Sequence, residues 1–346
     1  MRRLRHIRLL EGTDCRLDEC GQPCRGRRGL PAFDFRDVIG RDVPLHSRAR
    51  DPRQQVVQAM LIDIGEIRLN YAEWGAGEEI VVFIHGNLAC GMWFDLVAPL
   101  VAQNFRVIAV DWRGCGASDK PASLSDYSNY TIRQHAQDML AAVRSLDIDR
   151  CHLATHSTGG LISSYMLLME PERFGEVLAL NPVGPMGLRF PSELFALFEA
   201  MRASRERTRA TLALTASTLF RPETLATASQ PMFADHATLA QKQLFERLVD
   251  RTLQVSDGIW FGTATDLDRH WRTGGLRDQQ GMIEHRHLVL WGALDPFIPK
   301  QDMEEMAARM PHCRLMVVPG VGHSMIVERP EMYAQYFVEF FHKGDG

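Results

Sequence analysis

The sequence predicts an α/β protein with a doubly wound, mostly parallel sheet and a helical cap insertion. From Met60 onward, short apolar runs of strand length alternate with segments of helical periodicity, as in a sheet covered by helices on both faces. Between residues 185 and 282 this alternation stops and helical spacing alone remains. A chain of 346 residues with 45% hydrophobic and 24% charged positions can bury such a sheet, and this composition excludes a collagen-like or disordered protein.

Eight segments have the length and composition of strands. The first two, residues 61–64 and 67–74, are joined by Gly65-Glu66 and resemble a hairpin. The other six are short apolar runs, typical of strands in a covered parallel sheet. They span residues 80–84, 105–110, 151–155, 177–180, 287–290 and 314–318.

Three helices are predicted around these strands. In residues 131–146 the apolar side chains of Ile132, Met139 and Val143 lie near one face, and Thr131 is the expected N-cap. The other two helices span residues 161–169, where Pro171 ends the pattern, and residues 330–341.

Composition and periodicity together divide the chain into a leader, a core and a cap. Residues 1–58 hold 13 Arg, no Lys and 8 acidic residues, which indicates a basic leader that we expect to be disordered and dispensable. Residues 59–184 and 283–346 form the predicted sheet-based core. Residues 185–282 form the predicted helical cap, which we expect to lie over one edge of the sheet.

Charge and hydropathy limit the expected partners and location. A formal net charge of -4 gives no reason to expect nucleic acid or an anionic membrane as a partner, so we expect a small-molecule ligand. The sequence contains no apolar run of about 18 residues, so no membrane span is predicted. The apolar stretch at residues 7–10 is too short for a signal peptide, and we expect a cytoplasmic protein.

Seven cysteines, an odd number, predict no disulfide framework in a chain without an export signal. Cys15, Cys20 and Cys24 could be read as a metal cluster. They lack a convincing fourth ligand and fit no standard zinc spacing, so no metal is predicted there.

A serine stands between an apolar strand and a helix, flanked by small residues. The segment Leu153-Ala154-Thr155-His156-Ser157-Thr158-Gly159-Gly160 is close to the G-x-S-x-G elbow, in which a sharp turn projects the hydroxyl from the end of a strand. Thr155 replaces the first glycine of that pattern, and its β-branched side chain leaves less room. Ser157 is the predicted nucleophile, and the alternative is a serine that caps the following helix.

A serine nucleophile needs a base to remove its proton, and the base needs a group that holds its other ring nitrogen. His323 lies in a glycine-rich loop just after the last predicted strand, and Asp295 follows the strand at residues 287–290. The order Ser157, Asp295, His323, with each residue just after a strand, is far more specific than any one motif. These three residues form the predicted catalytic triad.

Over residues 60–341 the sequence resembles the α/β-hydrolase superfamily. Besides the elbow and the order of the triad, the resemblance rests on His85-Gly86-Asn87 after the third strand and on residues 111–118 after the fourth. It implies that backbone N–H groups of Asn87 or Leu88 and of Thr158 form an oxyanion hole.

The same resemblance implies an apolar cleft between the cap and the sheet. Met186, Trp260 and Phe261 of the cap are expected to line it, with His85 and His156 of the core. Further large side chains of the cap that could contribute, or could equally pack in the core, are Phe195, Phe198 and Trp271.

Other polar residues fit the triad less well. Asn181 follows the preceding strand, where some related enzymes carry the acid, but an amide cannot supply a negative charge. His156 is too close in sequence to the serine to approach it from across a cleft, so a structural or pocket role is expected. His285 and His287 have half the pattern of a metal site, without an evident carboxylate partner beyond Glu284.

The expected reaction is acyl transfer to water through an acyl-enzyme, without a metal or cofactor. We expect cleavage of a carboxylic ester of a small, largely apolar substrate. A thioesterase, lactonase or C–C bond hydrolase would use the same triad, and a receptor-like binding module with vestigial hydrolysis is the alternative outside enzymes. Aspartate at position 157 would indicate haloalkane or epoxide chemistry, and the serine argues against it.

Overall fold

One eight-stranded sheet organises the part of the chain that the computed structural model describes, residues 60–225 and 230–342. In chain order the strands are β1 Met60–Asp63, β2 Arg68–Trp74, β3 Glu79–Ile84, β4 Phe105–Val110, β5 Cys151–His156, β6 Phe174–Leu180, β7 His287–Gly292 and β8 Cys313–Val318. Across the sheet their order is β1-β2-β4-β3-β5-β6-β7-β8. Strand β2 pairs antiparallel with β1 and β4, and β3 to β8 run parallel.

Helices cover the sheet and fill the insertion. In chain order they are α1 Ala98–Val101, α2 Ile132–Ser145, α3 Gly159–Met169, α4 Ser192–Ala203, α5 Arg205–Thr215, α6 Pro222–Leu225, α7 Leu239–Thr252, α8 Thr263–Thr273, α9 Lys300–Arg309, α10 Met325–Glu328 and α11 Pro330–His342. A short π-helix, Gly258–Gly262, leads into α8. None of the described helices is long and apolar enough to cross a membrane.

The apolar runs of the parallel strands are buried on both faces because successive side chains leave a strand in opposite directions. In β3, Val82 and Ile84 belong to one hydrophobic cluster, whereas Val81 and Phe83 belong to a second cluster, which also contains Phe337 of α11. None of the four β3 side chains is accessible to solvent. The uninterrupted apolar run in the sequence therefore reflects a strand at the centre of a two-sided core.

The predicted fold class is confirmed, including the antiparallel hairpin of β1 and β2. The helix predicted at residues 131–146 is α2, and Thr131 caps it by accepting a hydrogen bond from the Gln134 N–H at 3.2 Å. Helix α3 begins at Gly159, two residues earlier than predicted. Helix α9 is not predicted from the sequence, because its buried side chains are Met303 and Met306 among charged residues.

Residues 185–225 and 230–282 are mainly helical, and their extended pairing is a single bridge between Phe220 and Phe233. Polar contacts link this insertion to the core. Asp266 of α8 accepts a hydrogen bond from the Ile132 N–H at 2.8 Å, at the start of α2. The predicted leader, with Cys15, Cys20 and Cys24, lies outside the described residues.

Candidate active site

The candidate site lies where the strand order reverses. Strand β3 is flanked by β4 and β5, so the loops that follow β3 and β5 leave the sheet side by side. In open parallel sheets, the crevice at the carboxyl ends of such strands is the usual place for ligands. The loop after β3 holds Asn87 and Leu88, and the turn after β5 holds Ser157.

Ser157 occupies a sharp turn between β5 and α3. Its φ angle of 53° lies in the left-handed region, which a non-glycine residue rarely adopts. Its N–H donates to the Leu180 carbonyl at 3.1 Å, and its carbonyl accepts from Gly160 and Val183. This network holds Ser157 in a strained turn at the end of β5. The residue at the N-cap position of α3 is Thr158 and not Ser157. The alternative role of Ser157 as a helix cap is therefore not supported.

The elbow requires glycine where neighbouring segments touch. A Cβ added at Gly160 would lie 2.3 Å from Pro182 Cβ, and one at Gly86 would lie 2.9 Å from Ser157 Cβ. Thr155, by contrast, is accommodated at the end of β5 with no solvent exposure, although its buried hydroxyl has no hydrogen-bond partner. The tightest contacts between segments of this turn are thus made at Gly86 and Gly160 and not at position 155, so a threonine fits there.

Asp295 and His323 are in direct contact. The His323 Nδ1–H donates to Asp295 Oδ2 at 2.7 Å, and both side chains are buried. The other carboxylate oxygen, Oδ1, accepts the N–H groups of Phe297 at 2.7 Å and Ile298 at 3.3 Å. The carboxylate is therefore fixed by its own loop, and a proton on Nδ1 leaves Nε2 of His323 as an acceptor.

Ser157 and the loop of His323 are linked through His156. His156, next to Ser157, donates its Nε2–H to the His323 carbonyl at 3.0 Å, and the two imidazole rings are 4.8 Å apart. Burial, and then the electrostatic interaction with His323, lowers the pKa of His156 well below its usual value of 6.5, so His156 stays neutral. Among the described hydrogen bonds, none joins Ser157 Oγ to His323. Such contacts often form fully only when substrate binds.

The predicted oxyanion-hole residues lie on the loop after β3 and in the turn after β5, two segments that touch at Gly86 and Ser157. Leu88 has a φ angle of 55°, and within residues 60–225 and 230–342 the backbone N–H groups of Asn87, Leu88 and Thr158 have no recorded acceptor. The Leu88 carbonyl is held by Thr252 Oγ1 of α7 at 2.8 Å. A helix of the insertion therefore supports the loop that would bind an oxyanion.

His85 also contacts the loop after β3. Its Nδ1–H donates to the Gly86 carbonyl at 2.8 Å, and its Nε2 accepts the Trp112 N–H at 3.3 Å. The ring stacks on Trp112 with centroids 4.3 Å apart. Burial lowers the pKa of His85 to about 4, so the neutral form fits this pair of bonds. Both ring nitrogens are thus occupied, although the predicted pocket role of His85 stays a prediction.

The other predicted pocket residues differ in their exposure. Met186 and Trp260 are buried, and Trp260 packs edge-on against Phe198 with centroids 5.8 Å apart. Phe261 is half-buried below the guanidinium of Arg202. Their contact with a substrate stays a prediction. Trp271 lies further out, with 46% of its surface exposed.

Three residues that support the site have no motif of their own. Thr252 binds the Leu88 carbonyl, Asn181 binds the loop that carries His323, and Glu328 accepts the Gly322 N–H at 2.7 Å. The partners of Thr252 and Asn181 lie far away in the sequence, whereas Gly322 lies six residues before Glu328. The available signal is weak: Glu328 is a charge that ends a buried apolar run, Met325-Ile326-Val327.

The fold and the arrangement of these loops define a hydrolase of the α/β-hydrolase fold. The family model described as "alpha/beta hydrolase fold" matches residues 79–330, so the chain belongs to this family.

Similar proteins catalyse different reactions. A 2-hydroxy-6-oxononadienedioate/2-hydroxy-6-oxononatrienedioate hydrolase from Pseudomonas putida is 25% identical over 80% of this chain and 92% of its own length. A fluoroacetate dehalogenase from a Burkholderia species is 36% identical, over 32% of this chain and 36% of its own. An esterase from Exiguobacterium antarcticum has the same fold, with a TM-score of 0.68 and 21% identity over 83% of this chain and all of that structure.

Proposed function

We propose that this protein is a serine hydrolase that cleaves a carboxylic ester of a small, largely apolar substrate through an acyl-enzyme. The observation that carries the proposal is the buried hydrogen bond between His323 and Asp295, in the loop tied to His156 beside the strained Ser157. A neutral imidazole held by a carboxylate on one nitrogen can accept a proton on the other.

In the proposed mechanism, His323 Nε2 takes the hydroxyl proton while Ser157 Oγ attacks the ester carbonyl. Asp295 stabilises the imidazolium that forms, and the backbone N–H groups of Leu88 or Asn87 and Thr158 stabilise the oxyanion. One such donor contributes about 2.7 to 4 kcal/mol to lowering the barrier in other enzymes. His323 then protonates the leaving alcohol, and water attacks the acyl-enzyme with the same histidine as base.

We propose that residues 185–282 act as the cap of this site. Two contacts support this role: Thr252 holds the Leu88 carbonyl, and Thr218 binds Glu328, which in turn binds the loop of His323. The large apolar side chains of the insertion would supply an apolar acyl pocket. Binding of such a substrate requires neither a nucleic acid nor an anionic membrane surface.

Cleavage of a C–C bond next to a ketone is the second candidate. It is favoured by the likeness to the Pseudomonas putida hydrolase, which extends over 92% of that protein. The same serine, histidine and aspartate would serve both reactions, so the difference lies in substrate contacts. Dehalogenation is not proposed, because position 157 holds a serine and not the aspartate expected for that chemistry.

Labelling with a fluorophosphonate and a panel of p-nitrophenyl esters of increasing acyl length test the proposal together. We expect the probe to modify Ser157 and Ser157→Ala to abolish both labelling and hydrolysis. The matched control is Ser324→Ala, which removes a buried hydroxyl without a hydrogen-bond partner next to His323 and should preserve labelling.

Labelling of another residue, or full activity of Ser157→Ala, would contradict the mechanism. A 2-hydroxy-6-oxo-dienoate in the same assay distinguishes the two candidates. Faster turnover of this compound than of every ester would favour C–C bond cleavage. Labelling of Ser157 without turnover of any compound would favour a binding module with vestigial hydrolysis.

A further inference from the structure

Asn181 lies between the two loops that carry Asp295 and His323. It follows the last residue of β6, has no solvent exposure and adopts a φ angle of 42°, in the left-handed region that asparagine tolerates better than most residues. Its backbone N–H donates to the Leu290 carbonyl of β7 at 2.8 Å. The residue is therefore anchored to the sheet before its side chain makes any contact.

The side-chain amide of Asn181 binds both loops. Its Oδ1 accepts the Gly292 N–H at 2.8 Å, and the Gly292 carbonyl accepts the Asp295 N–H at 2.9 Å. Its Nδ2 donates to the carbonyls of His323 at 2.8 Å and Gly322 at 3.1 Å. One amide thus spans the chain from the acid loop to the base loop.

These partners allow a single orientation of the amide. Turning it over would place Oδ1 against two carbonyl oxygens and Nδ2 against a backbone N–H, so all three hydrogen bonds would be lost. A carboxylate at position 181 could bind Gly292 but would repel both carbonyls. These contacts therefore favour an amide after β6, at position 181, and the acid after β7, at position 295.

We propose that Asn181 is a positioning residue: its amide sets the separation of the acid and base loops and so keeps the pair of Asp295 and His323 directed at Ser157. This inference rests on the proposed function. A second donor acts on the same carbonyl, because His156 Nε2–H also binds His323 O, at 3.0 Å. The two donors, His156 at the end of β5 and Asn181 after β6, bind both lone pairs of the His323 carbonyl oxygen. They therefore fix the backbone of His323.

Two variants separate the donor from the rest of the side chain. Asn181→Asp keeps the shape and the bond to Gly292 and loses the donor to the base loop, and Asn181→Ser is a smaller, uncharged replacement. In both we expect kcat for an ester to fall at least about tenfold with KM within about threefold, because the contact acts on geometry and not on substrate. The matched control is Gln280→Leu, which removes another fully buried amide, one that donates to the Arg277 carbonyl.

The second measurement does not depend on turnover. We expect the proton that His323 Nδ1 donates to Asp295 to give a far-downfield ¹H NMR signal in the natural protein and in Gln280→Leu. In both Asn181 variants we expect this signal to be shifted or lost. A natural protein that shows this signal but neither labels nor hydrolyses would refute the proposed function alone.

An unchanged kcat, or an unchanged NMR signal, in folded Asn181 variants would overturn the positioning role. Circular dichroism melting identifies the folded variants, and Asn181→Ser decides if Asn181→Asp does not fold. If neither folds, the side chain serves stability and the inference fails.

Discussion

At the scale of single residues, the structure explains why Asp295 is fixed so firmly. Its Oδ1 closes a turn with the N–H groups of Phe297 and Ile298, which leaves Oδ2 for His323. The residue type and its place after a strand are readable in the sequence. The partners that hold it are backbone groups of its own loop, which carry no sequence signature, so this part of the geometry could not be predicted.

Asp295→Asn tests the charge at this position. The amide can keep the loop contacts through its oxygen while it presents an N–H to His323 Nδ1, which favours the wrong tautomer of the base. We expect kcat to fall by about 10³- to 10⁴-fold, as for such a change in another serine enzyme, with little change in melting temperature. Ester hydrolysis and thermal melting are the measurements, and a loss below about tenfold would argue against Asp295 as the acid.

At the scale of secondary-structure elements, most of the core could be predicted because its strands are uninterrupted apolar runs. Helix α9 could not, since its few buried side chains are two methionines in a charged segment. The contacts of Thr252 with Leu88 and of Thr218 with Glu328 could not be predicted either, because each is a single polar contact over a long sequence separation. Thr218 and Glu328, for example, are 110 residues apart.

Glu328 of α10 joins the insertion to the loop of His323. Its Oε1 accepts the N–H and Oγ1 hydroxyl of Thr218, both at 3.0 Å, and its Oε2 accepts the Gly322 N–H. In Glu328→Gln an amide N–H must face one of these donors in either orientation. We expect the free energy of unfolding to fall by about 1–3 kcal/mol, measured by urea denaturation.

The control for this change is Thr218→Val, which removes the hydroxyl and keeps the backbone donor. It should cost about 1 kcal/mol, the usual value of one hydrogen bond. An equal loss of unfolding free energy in both variants would mean that the hydrogen bond from the Gly322 N–H to the carboxylate does not contribute to stability.

At the scale of the whole molecule, several histidines are buried in the neutral state. Burial lowers the pKa of His85 to about 4, that of His135 to about 3 and that of His287 to about 4, from 6.5. The unfolded chain binds protons at these positions below about pH 6.5 while the folded chain does not. Their stabilising effect is therefore complete above that pH and is lost as the pH falls toward 4.

His287 offers a direct measurement of this effect. Its Nδ1–H donates to the His285 carbonyl at 2.8 Å, a bond that the side-chain amide of His287→Asn can imitate without titrating. Between about pH 6.5 and pH 5 we expect the natural protein to lose about 2 kcal/mol more unfolding free energy than this variant. The measurement is urea denaturation at several pH values. If the unfolding free energies of the natural protein and His287→Asn changed equally with pH, His287 would be charged in the folded state at low pH.

The hydrogen bond from Thr252 to the Leu88 carbonyl has a consequence for recombination between family members. A chimera that receives residues 185–282 from another hydrolase exchanges the helices of the insertion together with one support of the loop after β3. We expect such a hybrid to keep the position of that loop only if a hydroxyl stands at the end of α7. Variation of the insertion is therefore restricted where its side chains bind the core, at Thr252, Thr218 and Asp266.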